Sequence, residues 1–296
     1  MNPQISVVIC TYNRDRHIPA ALESLAQQTL DKKKYEIVII NNNSTDSTDA
    51  FCREFLAKYP ELQTNYVIES RQGLSFARNR GIAEAQSPII TYIDDDAIAE
   101  PDFLAQIVEY LSQKPDVVGI GGRIEPIYET GVEPAWMNPF LYGIVAKVDM
   151  GDQIKPFING KYPAGCNMTY KKDILLQAGG FNEDLRWRAD DKYIYWAVSK
   201  ISNNVMYLPQ AKVFHHIEES RTSWQGFVKL SRRIGNEEKI RVSSLSREEY
   251  IKKIIEFLFK LGGSFVLAAY YLLKGKFAVA KYLIACRWYA LLGFFK

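Results

Sequence analysis

The sequence predicts an α/β fold with a mostly parallel central sheet, and three observations predict it. Four runs, ISVVIC (5–10), YEIVIIN (35–41), NYVIES (65–70) and PIITYID (88–94), have strand length and are nearly continuously apolar. Such runs suit strands covered on both faces, whereas half-exposed strands alternate. Stretches with helical spacing separate them, and strand–helix–strand repetition implies right-handed crossovers in a nucleotide-binding type of sheet. Polar or acidic clusters follow several of the strands, at the carboxyl ends where such sheets bind ligands.

The elements follow in order. Between the first two strands Ile18, Leu22 and Leu25 form one apolar stripe, with Asp15 placed to cap the helix. Between the second and third, Phe51, Phe55 and Tyr59 recur at helical spacing after a Ser-Thr-Asp start. Beyond residue 115 the pattern loosens, and 121–165 is rich in Gly, Pro and aromatics, as an acceptor-facing loop region would be. The run NVMYLPQAKVFHH (204–216) reads as a strand pair ending in two histidines, followed by a long helix carrying Arg232 and Arg233. The expected domains are a catalytic body over 1–240, with halves 1–115 and 116–240, and a helical tail over 241–296.

Charge divides the chain in the same sense. Residues 1–220 carry 22 Lys+Arg against 29 Asp+Glu, a net of −7, and residues 221–296 carry 15 against 5, a net of +10. A basic, apolar end on an acidic body suggests two environments, one of them an anionic surface. The 47% hydrophobic and 24% charged content excludes a disordered chain. Cys10, Cys52, Cys166 and Cys286 are scattered without CxxC spacing, which argues against a disulfide framework or structural zinc and fits a reducing compartment. The opening MNPQISVVIC has no basic region leading into an apolar core. The expectation is a catalytic domain at the cytoplasmic face of a membrane, peripheral or monotopic, with no nucleic-acid partner.

The strand ends carry the chemistry. Thr11-Tyr12-Asn13-Arg14 offers an aromatic to stack on a base and a cation for phosphate, or an ordinary capped turn. Asn41-Asn42-Asn43-Ser44-Thr45-Asp46 either hydrogen-bonds a base or ribose or caps the next helix. Asp94-Asp95-Asp96 places three carboxylates together, costly without a counter-charge such as Mg²⁺ or Mn²⁺; a solvated acidic loop is the alternative. An imidazole from His215 or His216 would complete a metal shell, although a lone histidine is more often structural. Asp190-Asp191 opens a helical pattern with Tyr193, Tyr195 and Trp196, as a general base for an acceptor hydroxyl or as an acidic helix start favoured by the dipole.

Taken together, residues 4–240 resemble glycosyltransferase family 2, whose members have the A-type, Rossmann-like glycosyltransferase fold. The resemblance rests on ISVVICTYNR, NNNSTDST, GLSFARNRGI, YIDDDA, Gly165-Cys166-Asn167, GGFNEDL, Asp190-Asp191 and VFHH, in that order and spacing. It implies that Thr11, Tyr12 and Arg14 hold the nucleotide, that Asn41 and Asn42 read the base, and that Arg78 and Asn79 contact the donor. Asp94 and Asp96 match Asp-X-Asp, with Asp96 and His215 on the metal and Asp94 and Asp95 on the donor side. Asp191 matches the catalytic base. The sequence departs at Asn41, where the family usually has Asp, and at Asp190, where it has Glu. A uridine donor remains compatible, since an Asn carbonyl accepts from a uracil N–H. The implied reaction is inverting transfer from a nucleotide-sugar to an acceptor hydroxyl, with Trp187, Asp190, Arg232 and Arg233 as candidate acceptor contacts.

The longest charge-free run of the tail, LGGSFVLAAYYLL (261–273), is thirteen residues. A bilayer span needs about twenty, so the tail reads as two amphipathic helices joined near Gly275 and lying in the interface, with a tilted span through 254–273 as a minority form. A helical cap or a homo-oligomer contact are the other readings. The acceptor is then expected to be a lipid-linked or membrane-proximal glycan. A transferase whose acceptor is polyprenyl phosphate itself is the second hypothesis, and a non-catalytic membrane scaffold the third. The Gln-x-x-Arg-Trp motif of processive polymerases is absent.

Overall fold

A computed structural model describes residues 3–158, 160–185, 189–243 and 245–296. By compactness the chain forms two units, Met1–Glu125 with Val148–His215, and Pro126–Lys147 with His216–Lys296. The division by compactness therefore draws 126–147 and 216–240 together with the tail, whereas a functional boundary near 240 remains a proposal.

The first unit has the expected strands β1 (Ile5–Thr11), β2 (Tyr35–Asn41), β3 (Gln63–Ile68) and β4 (Ile89–Asp94), followed by the short β5 (Ala97–Ala99). Four more strands of the sheet come later, β6 (Gly119–Tyr128), β7 (Lys155–Pro156), β8 (Met168–Lys171) and β9 (Val205–Ile217), with helix α5 (Lys172–Gln177) immediately after β8. Helices α1 (Ile18–Ala26), α2 (Thr48–Lys58), α3 (Leu74–Glu84) and α4 (Phe103–Gln113) precede them, and α6 (Asp190–Ser199) precedes β9. Among the described residues the strand order is β3-β2-β1-β4-β8-β6-β9-β5, with β7 also on β9. The pairs β3–β2, β2–β1 and β1–β4 are parallel, and β4–β8, β8–β6, β5–β9 and β7–β9 antiparallel.

All seven residues of β2 and six of seven in β1 are buried, which is why their runs are apolar without alternation. Ile18, Leu22 and Leu25 are fully buried beneath α1, as their spacing requires.

Three expectations need correction. Asp15 does not cap α1: the helix begins after His17, without a side-chain cap bond, and the Asp15 backbone N–H instead donates to Asp46 Oδ2 at 3.2 Å. The buried stripe of α2 is Thr48, Cys52 and Phe55, and Phe51 faces solvent. Residues 205–217 form one thirteen-residue strand instead of a pair. Pro209, which suggests a break, lies between the part that pairs with β7 (206–207) and the part that pairs with β5 (213–215).

The second unit is helical beyond the strand ends it contains: a 3-10 turn (Pro139–Ile144), then α7 (Glu219–Thr222), α8 (Trp224–Ser243), α9 (Arg247–Leu273) and α10 (Phe277–Phe295). Ser246 caps α9 by accepting from the Glu249 N–H at 3.1 Å. Gly275, at φ +71°, turns the chain into α10. Helices α8 and α10 cross closely: a Cβ on Gly235 would lie 1.8 Å from the Ala290 carbonyl oxygen. Trp136 stacks on Tyr282 with ring centroids 4.7 Å apart, in a core that includes Leu141, Phe227 and Leu283.

The buried stripe of α9 is Lys253, Phe257, Leu261, Ser264 and Ala268. Its opposite face exposes Ile255, Leu258, Phe259, Phe265, Val266, Tyr270 and Leu273, with Phe259 81% and Leu273 90% accessible. Under it, Glu238 forms a bidentate pair with Arg241 and meets Lys253 at 3.0 Å, and Lys253 also holds Glu256. Both α9 and α10 are long and apolar enough to cross a membrane.

Candidate active site

Parallel register brings the strand ends together. Cys10 stands beside Asp94, and Thr11 beside Asn41, so residues following β1, β2 and β4 share one edge of the sheet. The turns after β1 and β2 are tied to each other. The Asn13 N–H donates to Ser44 Oγ at 3.1 Å, the Thr45 N–H to Asn13 Oδ1 at 2.8 Å, and the Arg14 N–H to Thr48 Oγ1 at 2.9 Å. Tyr12 is left 38% exposed on this double turn, as a stacking surface would be.

Arg78, on α3, is the buried cation of the site at 2% exposure. Its Nη1 pairs with Asp190, and its Nη2 lies 3.2 Å from Asp94 Oδ1. Burial opposes its charge, but Asp190 and Asp94 outweigh that cost and hold the guanidinium protonated. Gly165 packs against it, and a Cβ there would lie 2.4 Å from Nη2. Asp190 is thus a buried counter-ion at the start of α6, turned to Arg78 and only 2% exposed.

Asp191 stands next to that pair. Its Oδ2 accepts from the Gly165 N–H at 3.1 Å and its Oδ1 from the Lys192 N–H at 2.7 Å. Burial, and then the Asp190 charge, push its carboxyl up to about 6, with Arg78 and the two N–H groups opposing. A carboxylate with that affinity for a proton suits general-base work near neutral pH better than an ordinary aspartate.

The three carboxylates after β4 have specific partners. Arg14 Nε is 3.6 Å from Asp95 Oδ1, and Arg14 Nη2 is 3.5 Å from Asp96 Oδ2. His215 Nε2 is 3.1 Å from Asp96 Oδ1. The histidine is 3% exposed and is placed by β9, whose alternation buries 211, 213, 215 and 217 and turns His216 to the other face. Asp95 is pushed up to about 8, by burial and by Asp96, against Arg14 and the Thr11 hydroxyl. Asp94 is also raised, by burial and by Asp96 against Arg78. The two arginines thus leave a surplus of negative charge on this corner. That surplus, with oxygen donors and an imidazole on one corner, fits a divalent cation. Oxygen of Asp94, Sγ of Cys166 and a ring nitrogen of His215 lie within 4.8 Å of one another. Asp94, assigned by resemblance to the donor sugar, is thus placed among the candidate ligands.

Other predicted residues serve the frame. Asn42 spends its side chain on the loop that follows β3: Nδ2 donates to the Glu69 and Arg71 carbonyls at 3.0 and 2.7 Å, and Oδ1 accepts from the Gly73 N–H at 2.8 Å. Asn79 does the same for the turn at 181, through Phe181 O at 2.9 Å and the Phe181 N–H at 2.8 Å. Asn41 accepts from the Ser44 N–H at 2.9 Å and donates to the Tyr66 hydroxyl at 2.7 Å, which in turn donates to Asp49. Aspartate at 41 would press a second carboxylate on a phenol that has one proton to give, a physical reason for the Asn. Trp187 lies outside the described residues. Arg232 and Arg233 belong to α8, in the second unit. Arg232 rests on the Tyr289 ring and lines a cavity of about 390 Å³ with Trp224, Gln225, Val228, Lys229 and Tyr289; Arg233 is exposed.

Residues 6–177, more than half of the chain, match the family model for glycosyl transferase family 2. The chain belongs to that family. A glucosyl-dolichyl phosphate glucuronosyltransferase of Haloferax volcanii is 27% identical over 246 residues, covering 76% of each chain. Glycosyltransferase AglE of the same organism is 32% identical over 183 residues, 62% of this chain and 57% of that one. Among solved structures, the Pyrobaculum calidifontis mannosyltransferase PcManGT in complex with GDP-Man and Mn²⁺ aligns with a TM-score of 0.66 at 19% identity, over 97% of this chain and 86% of that one. S. aureus TarS 1-349 in complex with UDP aligns at 0.58 and 17% identity, over 98% and 89%. These likenesses establish the fold, and the expected A-type glycosyltransferase architecture is borne out.

Proposed function

We propose that this glycosyltransferase moves a sugar, with inversion, from a nucleotide-diphosphate sugar to a hydroxyl of a lipid-linked glycan at a membrane surface. The observation that carries the reading is Asp191: a carboxyl raised to about 6, oriented by two backbone N–H groups, beside the Arg78–Asp190 pair. In this reading Asp191 accepts the proton of the acceptor hydroxyl as its oxygen attacks the anomeric carbon, and the nucleoside diphosphate departs from the opposite face. Arg78 is held charged by its two carboxylates, and in this reading its field would favour the negative charge that develops on the leaving group. Tyr12 stacks on the base, and Thr11 and Arg14 belong to the turn that seats the nucleotide. Asp94, Asp96 and His215 would hold a divalent cation, Mg²⁺ or Mn²⁺, which when bound neutralises charge on the leaving diphosphate. UDP is the favoured donor nucleotide, since the second lone pair of Asn41 Oδ1 still accepts from a base N–H.

A lipid-linked acceptor is supported by two things. The Haloferax relative carries glucosyl-dolichyl phosphate in its name. The exposed face of α9 is apolar over most of its length, while charges in its first half leave only 261–273 uncharged. Although α9 as a whole is long enough to cross, its uncharged stretch 261–273 covers only about 20 Å of the roughly 30 Å hydrocarbon core, and in this reading the helix lies in the interface on the cytoplasmic leaflet.

A second reading takes polyprenyl phosphate itself as acceptor, and the cavity carrying Lys229 and Arg232 between Trp224 and Tyr289 favours it. Purified protein on vesicles, supplied with UDP-sugars and either polyprenyl phosphate or a polyprenyl-linked glycan, separates the two. Transfer only to the glycan-bearing lipid supports the first reading, and transfer to the bare phosphate the second. No transfer from any nucleotide-sugar would sink both.

A further inference from the structure

Cys166 is a buried thiol that neither the donor nor the acceptor chemistry uses. Its Sγ lies in the same 4.8 Å cluster as an Asp94 oxygen and a His215 nitrogen. Its position is fixed by its neighbours. The Asn167 N–H donates to the Ala164 carbonyl at 2.9 Å, and Asn167 Nδ2 donates to the Arg123 and Ala211 carbonyls at 3.1 and 2.8 Å. Gly165, immediately before it, is wedged against the Arg78 guanidinium and donates to Asp191. These contacts fix the backbone from which the thiol projects, beside the corner that holds Arg78.

A cluster of one oxygen, one nitrogen and one sulfur donor differs in kind from an all-oxygen cation site. Hard Mg²⁺ and Mn²⁺ draw on carboxylate and water, whereas thiolate favours softer ions such as Zn²⁺ and Cd²⁺. Three protein donors and one open position is also the arrangement by which zinc is held where a fourth ligand must come and go. Bonds of about 2.0–2.3 Å put tetrahedral donors roughly 3.4–3.7 Å apart, so donors that already lie within 4.8 Å of one another need to close by little more than about an ångström at most.

We propose that Cys166 acts with Asp94 and His215 as a sulfur donor, so that the cation site also takes thiophilic divalent ions, which compete there with Mg²⁺ or Mn²⁺. The inference rests on reading this corner as a cation site and adds the residue that sets its selectivity. On binding, the thiol gives up its proton to solvent as the sulfur–metal bond forms, and no oxidant or reductant is required.

The test uses the full-length protein and Cd²⁺ as probe. Wild type should develop the ultraviolet absorption of thiolate-to-cadmium charge transfer, at one equivalent. Cys10→Ser should keep that band and Cys166→Ser should lose it, with circular dichroism confirming that each variant is folded; Cys166→Ala serves if the serine variant is not. In parallel, Zn²⁺ should displace Mn²⁺ followed by its electron paramagnetic resonance. Losing even an outer-shell partner costs 10–100-fold in metal affinity, so Cys166→Ser should raise the zinc needed by at least about tenfold. A wild-type protein that binds Mn²⁺ but shows no cadmium band overturns the inference and leaves the cation site standing. A band that survives in Cys166→Ser overturns it as well. Failure to bind either ion overturns the reading of the corner itself.

Discussion

The two units place their charges and their apolar residues in opposite ways. In the first, β1 and β2 bury runs of Val and Ile, and carboxylates gather where the strands end. In the second, α9 turns Phe259, Val266 and Leu273 outward and buries Lys253 against Glu238, with Arg241 completing the pair. Buried ion pairs contribute little to stability, because desolvation offsets their attraction. Exposed apolar residues in a contiguous face mark a surface made to meet something apolar. The first arrangement belongs to a water-facing site that handles charge. The second leaves an apolar helix face exposed, which the proposed function turns toward a membrane surface.

The largest expected effect lies on the chemical side of that contrast. Asp191→Asn should lower kcat by about 10²–10⁴-fold, the usual contribution of a general base, while nucleotide affinity measured by calorimetry changes only a few-fold. The pH dependence follows with its sign. The base is competent when ionised, so kcat/KM should rise through about pH 6 and level off above it, and the asparagine variant should lack that limb. Folding responds in the other direction. Asp191 and Asp95 bind protons more tightly folded than unfolded, up to about 6 and about 8. Without a cation their contribution to stability is therefore lost as pH rises from about 4 towards 8, which denaturant titrations at several pH values would follow.

Arg78→Met comes next. It leaves Asp190 buried without a counter-charge, and breaking a buried pair on one side costs about 3–5 kcal/mol, readable in urea unfolding. Adding Asp190→Asn in the same chain should recover part of that loss. Smaller again is the effect on the apolar side. Phe259→Glu removes an exposed side chain worth about 1.5–3 kcal/mol when buried, so binding to anionic vesicles should fall by about tenfold or more. Its circular dichroism and thermal midpoint in detergent-free buffer should match wild type. The smallest effect is expected for Asn41→Asp, about 1 kcal/mol of stability through the Tyr66–Asp49 contact.

The contrast also marks what the sequence makes legible. Strands β1, β2 and β4 were readable because burial on both faces writes itself as unbroken apolar runs, and the acidic cluster was readable because it follows one of them. β8 is four residues long, MTYK, too short to carry a period. The run 204–216 reads as a strand pair, but one strand continues through Pro209. Asn42 and Asn79 look like ligand-binding amides in sequence, since their partners at 69–73 and 181 are distant along the chain. Cys166 gave no signal by spacing, because its companions Asp94 and His215 lie far from it on both sides. The buried charges of α8 and α9 were hidden for a related reason: in sequence Glu238, Arg241 and Lys253 look like any solvated face.

The central claim is that the strand-end corner is a cation-dependent nucleotide site. Calorimetric titration of the purified protein with UDP, first with Mn²⁺ and then with EDTA, tests it most directly. Binding with Mn²⁺ should be lost or sharply weakened on chelation, and weakened likewise by Asp96→Asn. Equal UDP affinity with and without the cation would contradict the metal, and absence of binding to UDP, GDP and dTDP alike would contradict the site.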